Sequence, residues 1–179
     1  MNEQLSAIYQ KIDSYLLLPN KDIVKLLCAF AIGCKLPTEP PWLFLASGSS
    51  TGKTQLISLL ERLSGYFPID DMTNNTLLSG MKRHDQSASL LHRAPKHGGF
   101  LVFSDFTTML AKRKEDLSAI LGQLRVVFDG KATRATGGLE SEIKWQGKLG
   151  LLAGSTTVLY TKTEEYAEVG QRMVIYHMI

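Results

Sequence analysis

The run Ser47-Gly-Ser-Ser-Thr-Gly-Lys-Thr54 stands between an apolar stretch, Trp42–Ala46, and a helical pattern that opens at Lys53. A strand that ends in a tight turn of small residues and feeds straight into a helix turns its backbone N–H groups inward. The positive end of the helix dipole then faces the same point. The chemistry such a turn suits is the holding of a polyphosphate. Gly48, Ser49, Ser50, Thr51, Gly52 and Gln55 would line it. Lys53 would reach the β- and γ-phosphates, and Thr54 would give a hydroxyl to Mg²⁺. The pattern G-x-x-x-x-G-K-[ST] puts its first glycine at position 47; Ser47 is there instead, and Gly48 comes one place late. A glycine- and serine-rich loop that merely caps a helix is the plain alternative.

A metal beside the phosphates needs a second anchor, an acid at the tip of a neighbouring buried strand. Gly99–Asp105, "GFLVFSD", is the most strand-like run in the chain and ends in Asp105. Asp105 would hold Mg²⁺ through water, cap the next helix, or do both. Many ATP-driven motors place a glutamate directly after this aspartate to orient the attacking water. Here that residue is Phe106, with Asp70 and Asp71 as possible substitutes. The run "KLGLLAGSTT" is a further buried strand with a polar tip. Thr156 is its candidate γ-phosphate sensor, or else a hydroxyl that caps the next turn.

The elements that must position these groups follow from periodicity. Helical spacing covers about residues 2–18 and 21–34, and "LPTEPP" after them is a stiff connector. Strands are expected at 42–46, 66–70, 99–105, 148–156 and 172–178. A helix is expected at 53–64 and a helix or helix pair over about 107–128, with a short one near 87–93. A hairpin fits "DGKATRATGGLESEIKWQG". Strands alternating with helices imply an α/β fold with a parallel sheet covered on both faces. Residues 1–36 read as a short N-terminal helical extension and 37–179 as the P-loop core. No C-terminal lid is expected after the last strand.

The chain's 179 residues, 44% of them hydrophobic, suffice for one packed domain, and a net charge of +3 permits a nucleic-acid partner without announcing one. Cys28 and Cys34 lie on different faces of one helical stretch, so free thiols in a reducing cytoplasm are expected. There is no signal-peptide pattern and no membrane-length apolar run. His84, His92 and His97 fit no zinc spacing. The charged run Ala111–Asp116 reads as a solvated helix face, and Arg125 as the partner of an acid or a residue at a subunit boundary.

The segments "GSSTGKT", "FLVFSDFTTML", "LRVVFDG", "KLGLLAGSTT" and "VGQRMVIY" together resemble the AAA+ and superfamily-3-like ATPase domains of helicases. The nearest likeness is to modules attached to primases in phages, plasmids and other mobile elements. The resemblance spans roughly Trp42–His177. It implies an ASCE/AAA+-like P-loop NTPase that uses ATP and Mg²⁺ and assembles as a homo-oligomeric ring, as a hexamer in the first reading. Such a ring would act on single-stranded DNA beside a primase or other replication partner. The resemblance makes Gly170, Gln171 and Arg172 an arginine-finger segment, with Arg172 reaching the neighbouring subunit's site, where a guanidinium would neutralise charge on the γ-phosphate. It also makes the hairpin a pore hairpin in which Lys131 and Arg134, and less strongly Lys144 and Lys148, touch phosphates. Full extension would put Lys131 and Arg134 on opposite faces. Two other readings stay open: a nucleotide-gated binding module that hydrolyses little, favoured by Phe106, and a small-molecule kinase, for which no acceptor pocket is evident.

Overall fold

The computed structural model describes residues 3–73, 76–77, 90–134, 143–162 and 172–178. His84, Asp85, Gly170 and Gln171 lie outside these residues. Seven strands and six helices are defined among them, together with a 3-10 helix at Thr157–Lys162. The strands are β1 (Trp42–Ala46), β2 (Tyr66–Pro68), β3 (Gly99–Phe103), β4 (Lys131–Arg134), β5 (Ile143–Gln146), β6 (Leu149–Ser155) and β7 (Met173–His177). The helices are α1 (Glu3–Asp13), α2 (Asp22–Gly33), α3 (Lys53–Ser58), α4 (Leu90–Arg93), α5 (Thr107–Leu110) and α6 (Lys114–Phe128).

Five strands form one parallel sheet in the order β2-β3-β6-β1-β7. β1, β3 and β6 are buried along their whole length. That is why they read as unbroken apolar runs rather than alternating ones. Their side chains still alternate between two cores. Trp42, Phe44, Leu101, Phe103, Leu149 and Leu151 face a core shared with α5, α6 and the 3-10 helix. Leu43, Leu45, Phe100, Val102 and Leu152 face a second core built with α1, α2 and α3. The N-terminal helices thus pack directly on the sheet.

Of the helix or helix pair expected over 107–128, the pair forms: α5 and α6, broken at Ala111–Arg113. The helix expected to run to Ser64 ends as α-helix at Ser58 and continues in turns. The expected hairpin forms as the antiparallel pair β4–β5, with Lys131 opposite Gln146 and Arg134 opposite Ile143. Among the described residues, no helix is long and apolar enough to cross a membrane.

Candidate functional site

Parallel strands place all their C-terminal ends on one edge, and the register fixes what meets there. Ala46, the last residue of β1, is level with Ser155 at the tip of β6, and Phe103 of β3 is level with Ala153. Two residues beyond Phe103, Asp105 therefore stands beside Ser155. The central strand β6 lies between the strand that feeds the phosphate loop and the strand that ends in Asp105, as the sensor assignment for Thr156 requires. A crevice outside the C-terminal ends of such a sheet is the general place for ligands in α/β folds.

The loop itself answers the question of the missing glycine. Its left-handed bends fall at Ser50 (φ 60°) and Gly52 (φ 83°), whereas neither Ser47 nor Gly48 has a positive φ. Position 47 therefore does not need glycine's conformational freedom. Ser47 is buried, and its hydroxyl is used inside the loop: it hydrogen-bonds Thr51 Oγ1 and accepts Lys53 Nζ at 3.0 Å. Lys53 Nζ also donates to Gly48 O at 2.6 Å and to Ser47 O and Thr51 Oγ1 at 3.3 Å each. Gly52 is the position that needs glycine. Besides its left-handed φ, a Cβ there would stand 3.2 Å from Leu16 Cδ1.

The backbone N–H groups from Gly48 to Gln55 have no protein acceptor among the described residues. This continuous row of donors, closed by a lysine at the start of α3, fits the oxygens of a polyphosphate. Burial pushes the Lys53 ammonium below its ordinary range, and the charge of Asp105 opposes that shift. The two side chains are thus close enough to feel each other. Thr54 is exposed at the start of α3 and its hydroxyl makes no hydrogen bond among the described residues. Asp105 accepts the Thr107 N–H at 2.9 Å through Oδ1. Oδ2 of Asp105 and the Thr54 hydroxyl are oxygens of the hard kind that Mg²⁺ takes. The capping role and a metal role are compatible.

Four further residues complete the edge without having been foreseen. The Thr107 hydroxyl accepts the Thr156 N–H at 3.0 Å and donates to Thr156 Oγ1 at 3.4 Å, which ties the tip of β6 to the Asp105 turn. The spacing Asp-x-Thr was the available signal, since an Asp side chain commonly caps the N–H two residues on. Gly154 lets β6 approach β3, because a Cβ there would meet Ser104 O at 2.6 Å. Tyr160 OH and His177 Nδ1 hydrogen-bond at 3.1 Å, and His177 is level with Ala46 at the tip of β7.

The position at which a motor would carry its glutamate is not part of this edge. Phe106 is fully buried and packs edge-on against Phe44 and Phe103 at 5.3 and 5.2 Å between ring centroids. Of the two substitutes, Asp71 is held by Lys112 at 2.8 Å and by its own neighbour's N–H, and the Lys112 contact draws its carboxyl below the usual range.

Arg172 and the hairpin lie elsewhere. Arg172 precedes Met173, which is level with Trp42, so it sits at the opposite end of the sheet from the loop, roughly 13 Å away along the strand. Its guanidinium donates to Asp129 Oδ1 at 3.1 Å and lies 5.0 Å over the Phe128 ring. Arg125 also reaches Asp129, at 3.9 Å, so it has an acid partner. Lys131 and Lys144 are exposed on the hairpin, at register positions 131 and 144 of one face. For Arg134 only the strand position is described. Lys148 is paired with Glu39 at 2.6 Å. Both cysteines are free thiols, and no metal-holding cluster of His, Cys, Asp and Glu occurs among the described residues.

The sequence matches no known family model and no curated protein. Its fold is found in solved structures. NtrX from Brucella abortus in complex with ATP superimposes with a TM-score of 0.52 at 12% identity. The same protein in complex with ADP gives 0.52 at 13%. Each alignment covers 97% of this chain and 42% of the NtrX chain. The present chain thus spans less than half the length of these neighbours, and what it shares with them is a fold.

Proposed function

We propose that this chain is an ATP-binding P-loop module of the AAA+ and superfamily-3-like kind. The observation that carries the reading is the convergence of Lys53, Asp105 and Thr156 on one sheet edge around the open row of N–H groups from Gly48 to Gln55. The fold shared with a protein solved with ATP and with ADP supports the same ligand.

In this reading the loop N–H groups and Lys53 bind the phosphates, and Thr54 and Asp105 hold Mg²⁺. The metal, when bound, supplies positive charge against the β- and γ-phosphate oxygens. Thr156, fixed by Thr107, faces the γ-phosphate. Arg172 is too far from its own loop to serve it; in the ring that the resemblance implies, it would serve a neighbouring subunit's site, with Lys131 and Arg134 on single-stranded DNA. The ring and the DNA rest on the sequence resemblance. The buried Phe106 favours a second form of the reading, in which ATP gates binding to DNA or a replication partner and turnover is slow.

The test is ATP hydrolysis with and without single-stranded DNA, for the protein, for Lys53→Ala, for Arg172→Ala, and for a mixture of the two variants. A motor shows a DNA-stimulated rate that each variant lacks and the mixture partly regains, because mixed rings contain interfaces with both residues intact. ATP binding without stimulated turnover supports the gated module. Absence of both binding and turnover overturns the ATP reading.

A further inference from the structure

A groove of about 770 Å³ runs between α1, α2 and the α3 segment, on the face of the molecule away from α5 and α6. Its walls are mostly aliphatic and aromatic. Several lining side chains stand open to solvent: Tyr15 is 82% exposed, Ile32 62%, Leu59 48% and Ile8 41%. A pocket for a small molecule would bury such groups; an open apolar trough suits an element laid along it. The only charged side chains that line it are Lys11 and Lys35, and neither has an acidic partner among the described residues. The neighbouring lysines are neutralised within the chain, Lys21 by Asp13 and Lys25 by Asp22. Positive charge is thus left uncompensated at the groove and cancelled beside it.

We infer that this groove is a docking site for an amphipathic helix of a partner protein, one that sets apolar anchors into the trough and carries acidic side chains beside them for Lys11 and Lys35. Helix-in-groove recognition uses anchors at i, i+3, i+4 and i+7. Flanking carboxylates would set orientation and exclude basic helices. The seat adjoins the phosphate loop: Leu16 lines the groove and also packs over Gly52, and Gln55 lines it from α3. The docking itself does not depend on the nucleotide reading.

Cys28 lines the groove and gives a reporter. Cys34 stays silent, since it is buried and burial pushes its thiol up to about 12. The probe is a synthetic helical peptide with leucines on one face and glutamates flanking them, beside the same peptide with lysines in place of the glutamates. The expected result is saturable slowing of Cys28 alkylation, tenfold or more, by the glutamate peptide alone. Ile32→Glu should abolish it; Lys11→Glu with Lys35→Glu should transfer the preference to the lysine peptide. All three positions are open enough to solvent or to the groove for the fold to be retained, which circular dichroism checks. Protection by neither peptide, or by both equally, overturns the inference. So does protection that rises with protein concentration alone, which would assign the groove to a second copy of this chain.

Discussion

The Thr107 hydroxyl accepts the Thr156 N–H at 3.0 Å, while Thr107's own N–H is taken by Asp105. One threonine thus fixes both the turn that carries Asp105, the candidate metal-site acid, and the strand tip that carries Thr156, the candidate sensor. Thr107→Val keeps the shape and removes the acceptor, leaving a half-buried N–H unpaired. Stability should fall by about 1–2 kcal/mol, read from urea unfolding, and ATP affinity should fall with it. Thr107→Ser should retain both. A valine variant with unchanged ATP affinity would show that the link is structural only.

Phe106 invites a repair that the fold forbids. Replacing it with glutamate restores the order of acids seen in many motors, yet the side chain points into the core against Phe44 and Phe103. Removing a buried phenyl ring alone costs about 3–5 kcal/mol, and a carboxylate in its place adds a desolvation cost. Phe106→Glu should therefore lower the melting temperature steeply or prevent folding, and should not raise ATP turnover. A folded, faster variant would mean that residue 106 can swing to the sheet edge.

Gly52 is the one loop glycine whose backbone and surroundings both exclude a side chain. Gly52→Ala forces a left-handed conformation, worth about 1–2 kcal/mol, and brings a methyl 3.2 Å from Leu16. Gly48→Ala meets nothing within 4 Å and has no positive φ. The prediction is an asymmetry: at least a tenfold loss of ATP affinity for Gly52→Ala, and little change for Gly48→Ala, measured by titration calorimetry. Equal losses would place the loop's demand for glycine at both positions.

Much of this architecture was legible in the chain itself because buried parallel strands write themselves as apolar runs. "WLFLA", "GFLVF" and "LGLLAGS" became β1, β3 and β6 with little change of boundary. The strand order β3-β6-β1 puts the Thr156 strand between the loop strand and the Asp105 strand, where a candidate sensor would have to stand. What could not be read was which way a residue turns once its strand ends. Phe106 follows Asp105 in sequence but rotates into the core, and its fate depends on Phe44, sixty-two positions away. The pairing of Arg172 with Asp129 is likewise a product of tertiary packing, because β7 and the end of α6 meet only in the folded chain. The displaced glycine looked like a defect in the pattern because a pattern counts residue types, whereas the turn depends on φ, and φ is positive at Ser50 and Gly52.

The central claim is that the loop from Gly48 to Gln55 holds the phosphates of ATP. The most direct measurement is equilibrium binding of ATP with Mg²⁺ to the intact chain and to Lys53→Ala, with folding of both checked by circular dichroism. The account predicts saturable binding by the intact chain and a loss of at least tenfold in the variant, about 1.4 kcal/mol or more. Equal affinity in the two proteins, or no binding to either at millimolar nucleotide, would contradict it.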